Sequence, residues 1–256
     1  MMKNKEKKLT DEELRRVQLE LMDKFDAFCR QHNLRYSLAF GTLLGAIRHK
    51  GFIPWDDDVD IIMPLPDMLR LKAELHSSDI EYHDIDTDSY YEYGFSRVSD
   101  TATYSCRGMI LKTYGVCFDL YPVVGISEDP EIFIKRVSPA LEQRHRWVMW
   151  GRRIVRYLPI KKVPGLKKSV KRYQEQALLS CPYDHAQNYY HAGSLRKVNI
   201  FDYDVFKEMC DVEFEGHRYM AVACWHDYLT HCFGNYMQLP PESERHPAHG
   251  FVCYWK

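Results

Sequence analysis

The chain has 256 residues, 45% of them hydrophobic and 14% aromatic, with a formal net charge of −1. That length and apolar content support a packed core and exclude a disordered or low-complexity chain. The near-zero charge removes any global drive towards nucleic acid, and no apolar run approaches the roughly 20 residues of a membrane-spanning helix.

The N-terminus, "MMKNKEKKLTDEELRRVQ", is charged and lacks the apolar centre of a signal peptide, so the expected compartment is the cytoplasm. Cys29, Cys106, Cys117, Cys181, Cys210, Cys224, Cys232 and Cys253 form no CxxC pair and are expected to be reduced thiols. Neither an internal repeat nor a low-complexity linker divides the chain, and a single domain over residues 1–256 is expected.

The first element is a helix. Thr10 followed by Glu13 forms a capping-box pattern, and Leu14, Val17, Leu21, Phe25 and Phe28 recur at helical spacing. "RYSLAF" predicts a short strand leading into Gly41-Thr42, and "TLLGAIRHKG" a short helix closed by Gly51. Pro54 stops any continuation; "DVDIIM" predicts a strand with Pro64 just beyond it, and a helix follows from Pro66 or Asp67. Residues 80–125 read as β-rich. From about 131 to 191 the pattern turns helical and basic. "VEFEGHRYMAV" predicts a hairpin turning at Glu215-Gly216, and "WHDYLTHCF" a last helix ending at Gly234-Asn235. The whole predicts an α+β fold: a mixed sheet with flanking helices and a basic helical insertion.

Within that insertion, residues 135–172 carry 13 Lys or Arg and one acid, Glu142, a window of +12 that leaves −13 elsewhere. Taken as a helix, residues 144–158 put Trp147, Trp150, Ile154, Tyr157 and Leu158 on one side and Arg146, Arg152, Arg153 and Arg156 on the other. Two readings follow: a helix packed on the core with a solvated basic face, or a peripheral contact with an anionic membrane surface at the inner leaflet. No nucleic-acid-binding motif accompanies the charge.

The stretch "GTLLGAIRHKGFIPWDDDVDIIMP" crowds Asp56, Asp57, Asp58 and Asp60 against an apolar run. Buried carboxylates are costly unless a positive charge balances them. On a strand Asp58 and Asp60 share a face, roughly 6.5–7 Å apart at Cα, and their carboxylates can converge on a divalent cation. Oxygen ligands beside substrate phosphates suit Mg²⁺, with Mn²⁺ an alternative. An EF-hand loop begun at Asp56 fails because its sixth and twelfth positions are Ile61 and Asp67. A helical DDxxD motif over Asp56, Asp57 and Asp60 is opposed by Pro54 and the β-branched run. The plain alternative is an acidic turn capping an element. Gly41-Thr42 at a helix N-terminus is a candidate phosphate cradle. Asp119, in "VCFDLYPV", is either a third carboxylate of the site or a strand residue paired with an arginine. Arg48, His49 and Lys50 add positive charge for an anionic substrate.

These motifs resemble the LicD family of phosphocholine transferases, which includes a fukutin-related group. The likeness lies in "FGTLLGAIRHKGFIPWDDDVDIIMP", "FSRVSDTATY" with Arg97, Asp100 and Thr101, "FDLYPV" with Asp119, and "DYLTHCFGNYMQLPP". It runs from about residue 10 to 250. Two features depart from the family: Asn235 stands where YGDYM has an acid, and no proline precedes the last helix. The resemblance implies a nucleotidyltransferase-like fold and transfer of a phospho-alcohol, above all phosphocholine, from a CDP-activated donor to a hydroxyl of a glycan or its lipid-linked precursor. It implies Asp58, Asp60 and Asp119 as catalytic, metal-holding carboxylates. Gly41, Thr42, Arg48, Lys50, Asp56, Asp57 and Arg97 are then expected on the substrate and phosphate side. The alternatives are a nucleotidyltransferase moving NMP itself and a non-catalytic binding protein on a degenerate transferase fold. His246 and His249 either line the site or are exposed.

Overall fold

The computed structural model describes residues 7–88, 91–107, 111–155, 165–178, 183–191, 199–246 and 252–256. Arg156, Tyr157, Leu158, Cys181 and His249, and the side chains of Cys106, Arg152 and Ile154, lie outside that description.

Helix α1 (Asp11–Gln31) begins where the capping box places it: Thr10 Oγ1 accepts from Glu13 N, and Glu13 Oε2 accepts from Thr10 N. It buries Val17, Leu21, Met22, Phe25 and Cys29, and the Phe25 ring meets Tyr36 and Phe118 edge-on at 5.1 and 4.9 Å. That apolar stripe anchors α1 to the sheet.

The sheet is mixed. Strands β1 (Ser37–Leu38), β2 (Asp60–Pro64), β7 (Cys117–Ile126), β4 (Ser96–Asp100) and β3 (Ile80–His83) lie side by side in that order. β2 and β7 are parallel and the other pairs antiparallel. The far half of β7 carries β8 (Asn188–His191), which pairs with β9 (Asn199–Phe201). Two smaller sheets flank it: β12 (Cys253–Trp255) with β5 (Thr103–Arg107) and β6 (Leu111–Tyr114), and the hairpin β10 (Met209–Phe214)–β11 (His217–Val222). The hairpin turns through Glu215 and Gly216, both at positive φ (52° and 78°), as the right-handed strand twist prefers.

Three local expectations shift. Helix α2 (Phe40–His49) begins two residues before the expected Thr42, taking Phe40 and Gly41 into its first turn. Its left-handed closing residue is Lys50 (φ 61°) and not Gly51. Gly51 is small for another reason: a Cβ there would collide with the Glu215 carboxylate at the hairpin tip. β2 starts at Asp60, so Asp58 lies in the loop before the strand, and Pro64 is the strand's last residue. Helix α3 (Leu65–Glu74) follows at once.

The basic region is a helix pair, α4 (Pro130–Val155) and α5 (Leu166–Leu178), packed on β7 and β8. Residues 188–191 are not helical; they return to the sheet as β8. The buried stripe of α4 is Phe133, Val137, Ala140, Leu141, Arg144 and Val148. Trp150, expected on that side, is 47% exposed, while Trp147 packs against Gly165. Helix α6 (Trp225–Phe233) ends at Gly234, as its sequence indicated. None of the described helices is long and apolar enough to cross a membrane.

Candidate active site

The candidate site forms where α2, the loop 53–60 and the segment after α6 face one another across a cleft of about 810 Å³. Its near wall includes Phe40, Gly41, Leu44, Arg48, Trp55, Asp56, Asp58 and Asp60. Its far wall comes from Phe233 onward and includes Asn235, Tyr236, Gln238, Pro240, Glu244 and His246.

Asp60 is set by backbone bonds on both sides. Its N–H donates to Thr42 Oγ1 at 2.9 Å, and its carbonyl accepts from Ala39 N at 2.9 Å. The carboxylate is left in an unfavourable place. Oδ1 is buried and has no hydrogen-bond partner. Burial, then the charges of Asp58, Asp119 and Asp56, push its pKa well above the ordinary carboxylate range. Asp56, Asp57 and Asp58 each bring an oxygen to within 4.8 Å of the others, half-buried. Three clustered carboxylates, with the buried and partly unmet Asp60 close enough to feel the charges of Asp56 and Asp58, are a donor set of the kind a hard divalent cation takes.

The close approach of Asp56 explains Gly41. Any Cβ at residue 41 would collide with the Asp56 carboxylate, which rests against the first turn of α2 where the helix dipole is positive. Phe40, just before it, lines the cleft with φ at 42°, a strained conformation for a bulky residue. Gln18 Nε2 donates to the Asp57 carbonyl, tying the aspartate loop to α1.

The other expected residues divide. Asp58 and Asp60 are brought together in the cleft, with Asp56 beside them; Asp57 belongs to the carboxylate cluster but not to the cleft wall. Asp119 sits in register with Asp60 on the parallel neighbour strand. Both its oxygens are engaged by Arg97, Nε to Oδ1 at 2.5 Å and Nη2 to Oδ2 at 3.3 Å, and the Tyr121 hydroxyl approaches Oδ2 at 3.4 Å. The arginine-paired reading of Asp119 is the one the geometry carries. Arg97 is buried in that pair with its guanidinium 3.9 Å from the Tyr93 ring centroid, and it does not line the cleft. Thr42 is buried, and its hydroxyl accepts from the Asp60 N–H, which gives it a positioning part in the site. Lys50 is the exposed cap of α2, and its carbonyl accepts from Glu215 N. Arg48 does line the cleft, and its Nη1 donates to the Tyr236 carbonyl at 2.7 Å. Burial, then Arg245, lower its pKa. His246 lies on the far wall, as does Asn235.

Sequence reasoning missed Trp55, Tyr236 and Glu244. Trp55 has the Arg245 guanidinium 5.4 Å from its ring centroid, and the Tyr236 hydroxyl meets His226 Nδ1 at 2.7 Å. The proline-rich run after α6 was the available signal, since a segment too stiff for helix or strand must run over other elements.

Residues 33–148, which hold Asp56, Asp57, Asp58, Asp60 and Asp119, match the family described as LicD/FKTN/FKRP, nucleotidyltransferase domain. The lipopolysaccharide cholinephosphotransferase LicD of Haemophilus influenzae is 28% identical over 95% of this chain and 97% of its own length. An uncharacterized protein of Rickettsia prowazekii is 34% identical over 26% of the chain and 29% of its own length, and one of Rickettsia typhi is 48% identical over 16% and 14%. Residues 33–148 thus match a LicD-family domain.

Proposed function

We propose that this chain transfers a phospho-alcohol group, phosphocholine first among the candidates, from a CDP-activated donor to a hydroxyl of a glycan or its lipid-linked precursor. The observation that carries the reading is the partnerless, buried Oδ1 of Asp60, a residue that lines the cleft together with Asp56 and Asp58. The Haemophilus relative, a cholinephosphotransferase by name, supports the choice of cargo.

In the transfer, the acceptor oxygen bonds to the distal phosphorus of the donor while the bridging P–O bond breaks and CMP departs. Asp58 and Asp60 would hold Mg²⁺, with Asp56, rather than Asp119, completing the set. A bound Mg²⁺ supplies charge neutralisation at the diphosphate. The chain's own residues do the rest. Thr42 and Ala39 hold Asp60 in place, and Arg97 holds Asp119 behind it. Arg48 brings a positive charge to the near wall for the donor's phosphates. Trp55 and Tyr236 line the aromatic part of the cleft, which suits a quaternary ammonium. The proton of the acceptor hydroxyl leaves to Glu244 or His246, the titratable cleft groups that stand apart from the carboxylate cluster.

Calorimetric titration with CDP-choline, CDP-ribitol, CDP-glycerol and bare CDP, with and without Mg²⁺, tests the reading. Magnesium-dependent binding of one CDP-alcohol well above CDP, with CMP as the product, is expected. Release of the free phospho-alcohol in place of CMP would instead make the protein an NMP transferase, and failure to bind any of the four would remove the donor class.

A further inference from the structure

The α4–α5 pair has a face that the transfer reading does not use. Near the end of α4, Met149 and Trp150 are 42% and 47% exposed. The Trp150 ring meets Trp147 edge-on at 5.5 Å, and Trp147 in turn lies against Gly165 at the start of α5. That chain of contacts puts the exposed pair beside the first turn of α5. Around it stand the exposed cations Arg146, Arg153, Lys167 and Lys168, none in an ion pair with a described residue. The two cations farther along α5 are committed elsewhere: Lys171 pairs with Asp86 at 2.8 Å, and Arg172 donates to Gln143 at 3.2 Å.

A basic face alone would serve nucleic acid, acidic protein or lipid headgroups equally. An exposed tryptophan and methionine set among those cations narrow the choice. An indole with one apolar and one polar edge, ringed by positive charge, matches a boundary whose outer layer is anionic and whose inner layer is hydrocarbon. The rest of the chain is net negative, so the α4–α5 region concentrates the attraction and favours one orientation. We propose that the α4–α5 face docks the protein on an anionic phospholipid bilayer, with Trp150 and Met149 entering the interface and Arg146, Arg153, Lys167 and Lys168 contacting headgroups. The proposal is independent of the assigned reaction.

Co-sedimentation with vesicles tests it. The wild-type chain is expected to pellet with mixed phosphatidylglycerol–phosphatidylcholine vesicles, to be released by added salt, and to ignore pure phosphatidylcholine. Each headgroup-facing cation lost is expected to lower partitioning about fivefold, so Lys167→Glu with Lys168→Glu lowers it by more than about tenfold. Trp150→Ser with Met149→Ser should weaken binding while leaving its salt dependence. The control Arg16→Glu with Lys24→Glu, on α1, should pellet as wild type. All the variants should melt like the wild type, since the altered side chains are exposed. Three results would overturn the proposal: no pelleting with anionic vesicles at low salt, equal loss in the α1 control, or a duplex oligonucleotide bound as tightly as the vesicles and lost in the same α5 variant.

Discussion

Asp60 shows how one side chain can be a cost to the fold and the reason for the site. Its raised pKa means that the folded chain holds the carboxyl proton more tightly than the unfolded chain does. The group therefore favours folding at low pH, and that contribution is lost as pH rises from the ordinary value of 3.8 through the raised folded value. At neutral pH the charged form costs about 1.4 kcal/mol for each unit of elevation. Asp60→Asn should remove that cost. We expect the chelator-treated variant to melt above chelator-treated wild type at pH 8, the gap closing as pH falls towards 3.8. Mg²⁺ should raise the melting temperature of the wild type and not of the variant, and the variant should lose turnover. Equal melting curves and equal magnesium responses would remove Asp60 from the metal set. Arg97 makes the opposite case. Its pair with Asp119 is buried, with side chains 10% and 14% exposed, so removing one partner strands the other charge. Arg97→Ala should cost about 3–5 kcal/mol, whereas Arg97→Ala with Asp119→Leu should recover much of it. Denaturant melts of the single and double variants measure the difference.

At the scale of elements, what was legible follows from the range of the interactions. The capping box of α1, the Glu215-Gly216 turn and the end of α6 are set by residues three or four apart, and all three stand where the residues indicated. The close of α2 was misjudged because the reason for Gly51 lies 164 positions away, in Glu215. That contact is also mechanical. Glu215 Oε1 accepts from Phe52 N at 2.9 Å, and Glu215 N donates to the Lys50 carbonyl at 2.8 Å, so the tip of the β10–β11 hairpin clamps the start of the loop that carries Asp56, Asp57 and Asp58. The side chain at 215 is exposed, and its loss should cost only about 1 kcal/mol. Glu215→Ala should therefore leave global melting nearly unchanged while speeding amide exchange at Phe52 and weakening the thermal shift produced by Mg²⁺. A variant with full exchange protection at Phe52 would show that the clamp does not order the loop.

At the scale of the molecule, the site is assembled from distant parts of the chain: α2 and its loop face the segment after α6, and β7 backs Asp60 from the neighbouring strand. The aspartates were readable because they sit together in sequence. The pairing of Asp119 with Arg97 was not, because it depends on antiparallel β4 lying beside β7 in one particular register, Arg97 opposite Asp119. The far wall of the cleft was hidden for the same reason, since no local pattern says which surface an irregular, proline-rich segment will cover. Arg48 is the joint. It projects from α2 on the near wall and holds the Tyr236 carbonyl at the root of the far wall, through a half-buried, charge-assisted bond. The backbone of Asp60 and of the aspartate loop, by contrast, is held by Thr42, Ala39 and Gln18. Cation binding and wall closure should then separate. Arg48→Ala should raise KM for the CDP-alcohol about tenfold or more, in line with a charge-assisted bond of roughly 1.5–3 kcal/mol, while the thermal shift produced by Mg²⁺ alone stays at the wild-type value. A variant that lost the magnesium shift together with donor affinity would mean that the two walls fold as one unit, with the cation site dependent on the segment that closes over it.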